Sequence, residues 1–311
     1  MQVTVEKICS FSNPLSSPHE VNGCIYMVSE NGDILVMNNE LTIDTRMGGQ
    51  PSSIAIERDH ILIYIADMAH QAITYRQLNQ LQQQSNNQNQ EGAKDFVTEY
   101  EGMPFLGPNQ IVISYNNLNA VFFTDSGPFG ETNVENPIGS VFMVDLDGQE
   151  IKPTALAYRC LAHPSGLALS HDEKSLFVSE TCENRIIRFV LTNAGIYAFS
   201  VYHQFSGRFG PTALVISQSD FLYVARFEFS VGNENEMGLI SVLNPQGQLL
   251  ENILIPGSPE ITGMCFSLIK PTNLYLTDNS NGSNRLIKCV IPLEDKDEEK
   301  KKKDKDSYKV K

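Results

Sequence analysis

The sequence predicts an all-β fold, a six-bladed β-propeller with about four antiparallel strands in each blade. The first observation is a phrase that returns five times: a small polar residue opens an apolar stretch, and a turn separates this stretch from a second one. The second observation is its spacing of 47 to 57 residues. The polar residues that open the copies are Ser52, Asn109, Ser165, Thr212 and Thr262. A period near 50 residues indicates one repeated supersecondary unit. A unit of short apolar stretches separated by turns is typical of propeller blades.

Each element of the phrase predicts part of a blade. In the copy that begins at Pro164, the polar run 170–175 separates two apolar stretches, which is a hairpin signal. The segment from Pro18 to Met37 predicts the remaining blade, and the alternating start, 3–9, is expected to pair with the last blade and close the ring. A sandwich or barrel is the rival architecture, but those folds have no such period.

The predicted propeller occupies residues 1–293. Within it, 77–92 is rich in Gln and Asn and predicts a loop insertion in the second blade. The tail, 294–311, carries eight lysines and seven acidic residues and is expected to be disordered.

Composition restricts the classes of function. The formal net charge of −14 lies almost wholly on the body and disfavours nucleic-acid binding, which depends on neutralising phosphates. No apolar run is long enough to span a membrane, and no signal peptide is recognised. The six cysteines form no close pair in the sequence and predict buried thiols in a reducing compartment. We therefore expect a cytoplasmic location, with which a cytoskeletal or ciliary role is compatible.

A propeller brings the starts of its first strands together at the mouth of the central channel. The residue that opens each copy of the phrase is therefore expected at this mouth, with Ser16 or Glu20 contributed by the first blade. Such a ring can hold a ligand or a metal ion. The alternative is that small polar residues at strand starts hydrogen-bond to nearby backbone.

Two segments carry a resemblance to a known family. Residues 107–113 with 122–127, and residues 163–170 with 177–181, resemble segments of the SMP-30/gluconolactonase/LRE-like propellers, a superfamily that includes strictosidine synthase-like proteins. The resemblance covers about residues 14 to 292 and implies a six-bladed propeller. It also implies a divalent cation at the channel mouth in the lactonases of the family.

The resemblance implies four ligand positions, of which Asn109 alone keeps the family's residue. Ser165 replaces an asparagine, and Thr212 replaces the aspartate that usually acts as general base. The first-blade glutamate falls on Ser16, with Glu20 as the nearby substitute. Without a carboxylate at these positions, calcium binding is expected to be weak.

Gln110 stands where the family has a further aspartate. Two candidate catalytic residues, Glu260 and His163, lie outside the ligand positions. Glu260 lies where strictosidine synthase-like members place a channel glutamate, and otherwise it is a solvated loop residue. His163, beside Ser165, is a candidate general base or a structural histidine.

These residues leave two hypotheses open. The first is a non-catalytic propeller, a pseudoenzyme or scaffold that binds a protein or a small ligand at the channel mouth within an assembly; it requires no cofactor. The alternative is a metal-dependent lactone or ester hydrolase that uses Asn109 with Glu20 or Glu260. The oligomeric state has no signal in the sequence.

Overall fold

The strands form six four-stranded antiparallel sheets, which are arranged as the blades of a six-bladed β-propeller. The computed structural model describes residues 3–57, 62–78, 92–115, 118–228 and 237–291. The innermost strands of successive blades contact one another, and that of blade 6 contacts that of blade 1. The ring is therefore closed, as the sequence predicts.

Each blade except the last is built from consecutive strands. Blade 6 takes its outermost strand from the start of the chain, β1 (Thr4–Phe11). Blade 1 consists of β2 (Leu15–Val21), β3 (Cys24–Ser29), β4 (Asp33–Met37) and β5 (Leu41–Arg46). Blade 2 consists of β6 (Pro51–Ile56), β7 (Leu62–Asp67), β8 (Ala72–Gln77) and β9 (Lys94–Val97). A small hairpin follows, made of β10 (Glu99–Tyr100) and β11 (Met103–Pro104).

The other blades repeat this order. Blade 3 consists of β12 (Pro108–Ser114), β13 (Ala120–Asp125), β14 (Gly139–Asp145) and β15 (Pro153–Leu161). Blade 4 consists of β16 (Pro164–Leu169), β17 (Ser175–Glu180), β18 (Arg185–Leu191) and β19 (Tyr197–Gln204). Blade 5 consists of β20 (Phe209–Ile216), β21 (Leu222–Glu228), β22 (Met237–Leu243) and β23 (Leu249–Pro256). Blade 6 is completed by β24 (Ile261–Phe266), β25 (Asn273–Asp278) and β26 (Asn284–Val290).

Closure of the ring joins the two ends of the described chain. Strand β1 pairs antiparallel with β26, with Thr4 opposite Val290 and Phe11 opposite Asn284. The predicted role of the first strand is confirmed. Pairing β26 in this way removes an exposed strand edge that would otherwise invite association.

Apolar side chains between neighbouring blades form the core. All six residues of β13 are buried, as expected for a strand covered on both faces. Phe123 packs against Phe105 and Phe142, each with a ring-centroid distance of 5.2 Å, in a cluster shared by blades 2 and 3. Because no blade can bury its faces alone, the ring is the smallest stable unit.

Several predictions concern parts of the chain away from the channel. All six cysteines are free, as predicted, but Cys160 is exposed rather than buried. Most of the Gln/Asn-rich insertion 77–92 and the whole tail 294–311 lie outside the described residues. No helix within the described ranges has the length and apolar character needed to cross a membrane.

Candidate functional site

A cavity of about 360 Å³ lies at the mouth of the central channel. All six blades contribute to it through the residue near the start of the first strand, as the phrase predicts. These residues are Ser16, Ser52, Asn109, Ser165, Thr212 and Thr262. We call it the mouth cavity; its volume lies in the range of small-molecule sites.

Most of the hydroxyls in this set hold the blades together. Ser16 Oγ donates to the carbonyl of Ser52 at 2.8 Å, and Ser52 Oγ donates to that of Pro108 at 2.9 Å. Across the ring, Thr262 Oγ1 donates to the carbonyl of Leu15 at 2.7 Å, which links blade 6 to blade 1. These bonds run from one blade to the next around the channel.

The same pattern continues on the other side of the mouth. Ser165 Oγ donates to the carbonyl of Thr212 at 3.2 Å, and Thr212 Oγ1 donates to that of Ile261 at 3.4 Å. In blade 3 the strand-start residue is an asparagine, and the bond to the next blade comes from Thr124 instead: its Oγ1 donates to the carbonyl of Ser165 at 2.8 Å. We call this closed set of contacts the hydroxyl ring. Five of the strand-start residues therefore follow the alternative prediction, in which their hydroxyl groups hydrogen-bond to backbone. They are Ser16, Ser52, Ser165, Thr212 and Thr262.

Asn109 is the exception among the six. Its Nδ2 donates to Ser126 Oγ at 3.1 Å within its own blade. Among the described residues, no hydrogen bond reaches its Oδ1. This amide oxygen is therefore open to a ligand in the mouth cavity.

Glu20 is not brought together with the other predicted residues. It lies four positions after Ser16 on β2, about 13 Å farther along the strand. Its buried carboxylate accepts hydrogen bonds from Ser267 Oγ at 3.1 Å and from the backbone N–H of Leu268, both in the turn between β24 and β25. Glu20 thus fixes a turn between blades and does not line the mouth cavity.

Two carboxylates do line the mouth cavity, at the boundary of blades 6 and 1. Glu260 precedes β24, and Glu30 lies in the turn between β3 and β4. Burial raises the pKa of Glu260, and the negative charges of Asp278 and Glu30 raise it further. The sequence indicated Glu260 but not Glu30, because a glutamate beside Asn-Gly in a turn has no signal that separates it from a solvated one.

His163 lines the same cavity from blade 4 and is buried. Thr132 Oγ1 donates to the carbonyl of Ser126 at 3.2 Å, so it accepts from His163 Nδ1 at 3.3 Å, which assigns the proton to Nδ1. Nε2 has no hydrogen-bond partner among the described residues. Burial lowers the pKa of His163 to about 4, so the ring is neutral at pH 7.

In blades 3 and 4, the acidic residue that ends the second strand positions the chain before the first strand. Asp125 accepts the backbone N–H groups of Leu106 and Gly107 at 3.0 and 2.8 Å. Glu180 accepts that of Ala162 at 2.7 Å. They act on segments that enter the mouth, and neither lines the mouth cavity.

The donor set at the mouth does not fit a tightly bound divalent cation. Calcium affinity follows the number of charged oxygen ligands. Across the described part of the chain, no group of three or more His, Cys, Asp or Glu side chains could hold a metal ion. At the mouth, the hydroxyl groups of the five strand-start serines and threonines donate to backbone carbonyl oxygens.

Removing one hydroxyl of the ring is expected to destabilise the fold. Ser165 Oγ also contacts Ser179 Oγ at 2.8 Å and Thr181 Oγ1 at 2.7 Å, and the cluster is buried. We expect S165A to lower the free energy of unfolding by about 1–3 kcal/mol, because its buried partners lose a hydrogen bond. Denaturant unfolding measures this effect. The control S200A removes an exposed hydroxyl, and equal stability of the two variants would contradict a structural hydroxyl ring.

Fold and site together define a closed six-bladed propeller with a ligand-sized cavity at its channel mouth. Residues 19–280 match the model of the SMP-30/Gluconolactonase/LRE-like region. The chain therefore belongs to this family, and the resemblance inferred from its sequence is confirmed.

Curated relatives in this family include lactonases. The Lactonase drp35 of Staphylococcus epidermidis (strain ATCC 12228 / FDA PCI 1200) is 29% identical over 188 residues, which are 59% of this chain and 51% of that protein. The Lactonase drp35 of Staphylococcus aureus (strain USA300) is 31% identical over 184 residues, 58% of this chain and 50% of that protein. The chain thus spans about half the length of the curated relatives it matches.

Solved structures share the fold at low identity. A gluconolactonase from Xanthomonas campestris superposes with a TM-score of 0.71 at 19% identity, covering 93% of this chain and 90% of that one. A calcium-binding regucalcin from Agrobacterium tumefaciens str. C58 gives 0.68 at 15% identity, covering 90% and 92%. At these identities the similarity establishes the propeller alone.

Proposed function

We propose that this chain hydrolyses a lactone or an ester in the mouth cavity. The observation that carries the proposal is that two carboxylates, Glu260 and Glu30, line a ligand-sized cavity of a chain whose curated relatives are lactonases. The sequence alone favours a non-catalytic role over this activity. The geometry of the mouth and the relatives together favour the hydrolase.

Glu260 is the general base of the proposed reaction. It accepts a proton from a water molecule, and the water oxygen attacks the carbonyl carbon of the substrate. The tetrahedral intermediate then breaks its bond to the ring or alkoxy oxygen, which takes the proton back from Glu260. The products are a carboxylic acid and an alcohol, joined in one molecule when the substrate is a lactone.

Glu260 is preferred to His163 as the base because a base works best when its pKa is near the working pH. The pKa of Glu260 is raised above its ordinary value of 4.5, whereas that of His163 is lowered to about 4. We assign His163 Nε2 and Asn109 Oδ1 as hydrogen-bond acceptors for hydroxyl groups that a substrate carries outside its lactone or ester group, since that group itself has no donor.

Gln110 is the proposed donor to the developing oxyanion. It lines the cavity from blade 3, which lies opposite blade 6 in a ring of six, so a substrate bound between these blades lies between Gln110 and Glu260. Its backbone N–H is occupied by Thr124 Oγ1 at 3.0 Å, and its side-chain amide has no partner among the described residues.

Hydrolysis is expected to persist when divalent cations are removed, because the donor set at the mouth does not fit a tightly bound cation. The measurement is kcat/KM for a panel of lactones and esters after treatment with EDTA, and again after addition of calcium, manganese or zinc. We expect less than about a twofold difference among these conditions. Turnover that requires a cation and is lost in N109A would replace this proposal with a metal-dependent one.

A non-catalytic binding role is the second candidate. The hydroxyl ring favours it, since five of the six strand-start residues stabilise blade contacts. A protein or small-molecule partner would then occupy the mouth cavity. The same panel decides between the two, because a binding protein would retain a ligand without turnover.

A further inference from the structure

A second cavity opens beside the mouth cavity. It has a volume of about 440 Å³ and lies between the loop after β13, the turn after β17 and the segment before β20. We call it the side cavity. Its lining includes Phe129, Val134, Cys182, Asn184 and Arg208.

The side cavity and the mouth cavity are contiguous. Phe129 and Thr181 line both of them. The ring of Phe129 also lies edge-on to that of His163, with a centroid distance of 5.1 Å. A molecule whose reactive group lies in the mouth cavity can therefore extend past Phe129 into the side cavity.

The wall that carries Phe129 and Val134 is preformed. Asn133 Oδ1 accepts the backbone N–H groups of Glu135 and Asn136, both at 2.9 Å. Asn136 Nδ2 donates to the carbonyl of Glu131 at 3.2 Å. These bonds fix the loop 126–138 without a ligand, so binding would incur little ordering entropy.

Two polar side chains of the side cavity, those of Arg208 and Asn184, already contact protein partners. Arg208 Nε pairs with the buried Glu228 at 2.8 Å, and Asn184 Nδ2 donates to the carbonyl of Gly207 at 3.0 Å. Asn184 Oδ1 is buried, which leaves it no surface for a ligand. The side chain of Arg208 is 77% exposed, but its charge is paired with Glu228. Phe129 and Val134 are 57% and 56% exposed and have no charge. A ligand would therefore gain contact chiefly with apolar surface.

We infer that the substrate carries an apolar tail, and that the side cavity holds this tail while its lactone or ester carbonyl lies in the mouth cavity. This inference rests on the proposed hydrolase function and adds the substrate class to it. A neutral alkyl or aryl substituent fits best, because the charge of Arg208 is paired with Glu228, and Glu135 on the rim and the strongly negative body disfavour an anionic one.

The test is a series of γ-lactones whose ring substituent lengthens from methyl to pentyl. We expect kcat/KM to rise roughly threefold to fourfold with each methylene that the side cavity covers. A series in which kcat/KM is independent of tail length would overturn the inference and leave the proposed hydrolase intact.

Matched variants locate the effect. V134D puts a charge into the side cavity and should reduce the pentyl-to-methyl ratio of kcat/KM by at least about tenfold. V201D makes the same change at a residue that is 51% exposed on β19, the outermost strand of blade 4, and should keep the ratio of the unmodified protein. Equal ratios in the two variants would exclude the side cavity as the tail site.

Binding separates this inference from the hydrolase proposal. γ-Lactams with the same substituents keep the ring and the tail but resist hydrolysis, and calorimetric titration measures their Kd. Tighter binding of the pentyl lactam than of the methyl lactam, lost in V134D but not in V201D, would support the side cavity even if no lactone were hydrolysed. Equal Kd values in the unmodified protein would refute it, whatever the outcome of the hydrolysis panel.

Discussion

Replacing Glu260 with glutamine is expected to lower kcat/KM for lactone or ester hydrolysis by about 10²- to 10⁴-fold, the usual contribution of a general base. Glutamine keeps the size and hydrogen-bonding capacity of the side chain but cannot take a proton from water. The measurement is a steady-state comparison with the best substrate of the panel.

The pH profile tests the role of Glu260 as a base. The base must be ionised, so activity should rise with pH through the pKa of Glu260, and the midpoint should lie above the ordinary value of 4.5 because burial, Asp278 and Glu30 all raise that pKa. E30Q removes one of these charges and should move the midpoint to lower pH. A midpoint that stays in place in E30Q would argue against coupling of the two carboxylates.

Stability distinguishes a catalytic loss from a folding defect. Since the folded-state pKa of Glu260 is raised, its ionisation opposes folding, and this side chain favours the fold less as pH rises through that pKa. E260Q carries no charge, so it should be at least as stable as the unmodified protein at pH 7. The control E150Q changes a glutamate that is 68% exposed between β14 and β15 and should leave kcat/KM unchanged. If E260Q were fully active, the proposed mechanism would be wrong.

Truncating Phe123 to alanine is expected to lower the free energy of unfolding by about 3–5 kcal/mol. Its side chain is fully buried and stacks on Phe142, and the cluster around it joins blades 2 and 3. The variant loses apolar burial and leaves a cavity that neighbouring strands, fixed by their hydrogen bonds, cannot fill. Chemical denaturation or calorimetry measures the loss.

The matched control is F199A, which removes the same side chain from β19, where it is 55% exposed. We expect a change of less than about 1 kcal/mol there. If the two variants were equally stable, the contact between blades 2 and 3 would not stabilise the ring as its burial indicates.

Much of the fold follows from local patterns in the sequence. A first strand such as β16 is buried on both faces and therefore reads as continuously apolar. The recurrence of such strands set the number of blades, and the alternation at the start of the chain predicted that β1 would complete blade 6. The boundaries of outer strands do not follow from the repeated phrase: residues 95–100 are divided between β9 and the β10–β11 hairpin.

The sequence also determined that six polar positions would meet at the channel, because the start of every first strand must face the axis of a closed ring. What these residues do there was decided only by tertiary structure. The carbonyl that each hydroxyl meets belongs to the next blade. It lies 47 residues away in the chain for Ser165 Oγ and Thr212, and 247 residues away where Thr262 meets Leu15 and the ring closes. Glu20 lies too far along β2 to reach the mouth and instead contacts Ser267. Blade 6 packs against blade 1, which places Glu30 near Glu260. Local sequence fixes where a strand begins and which way its residues alternate, but a site between blades depends on contacts that form only when the ring closes.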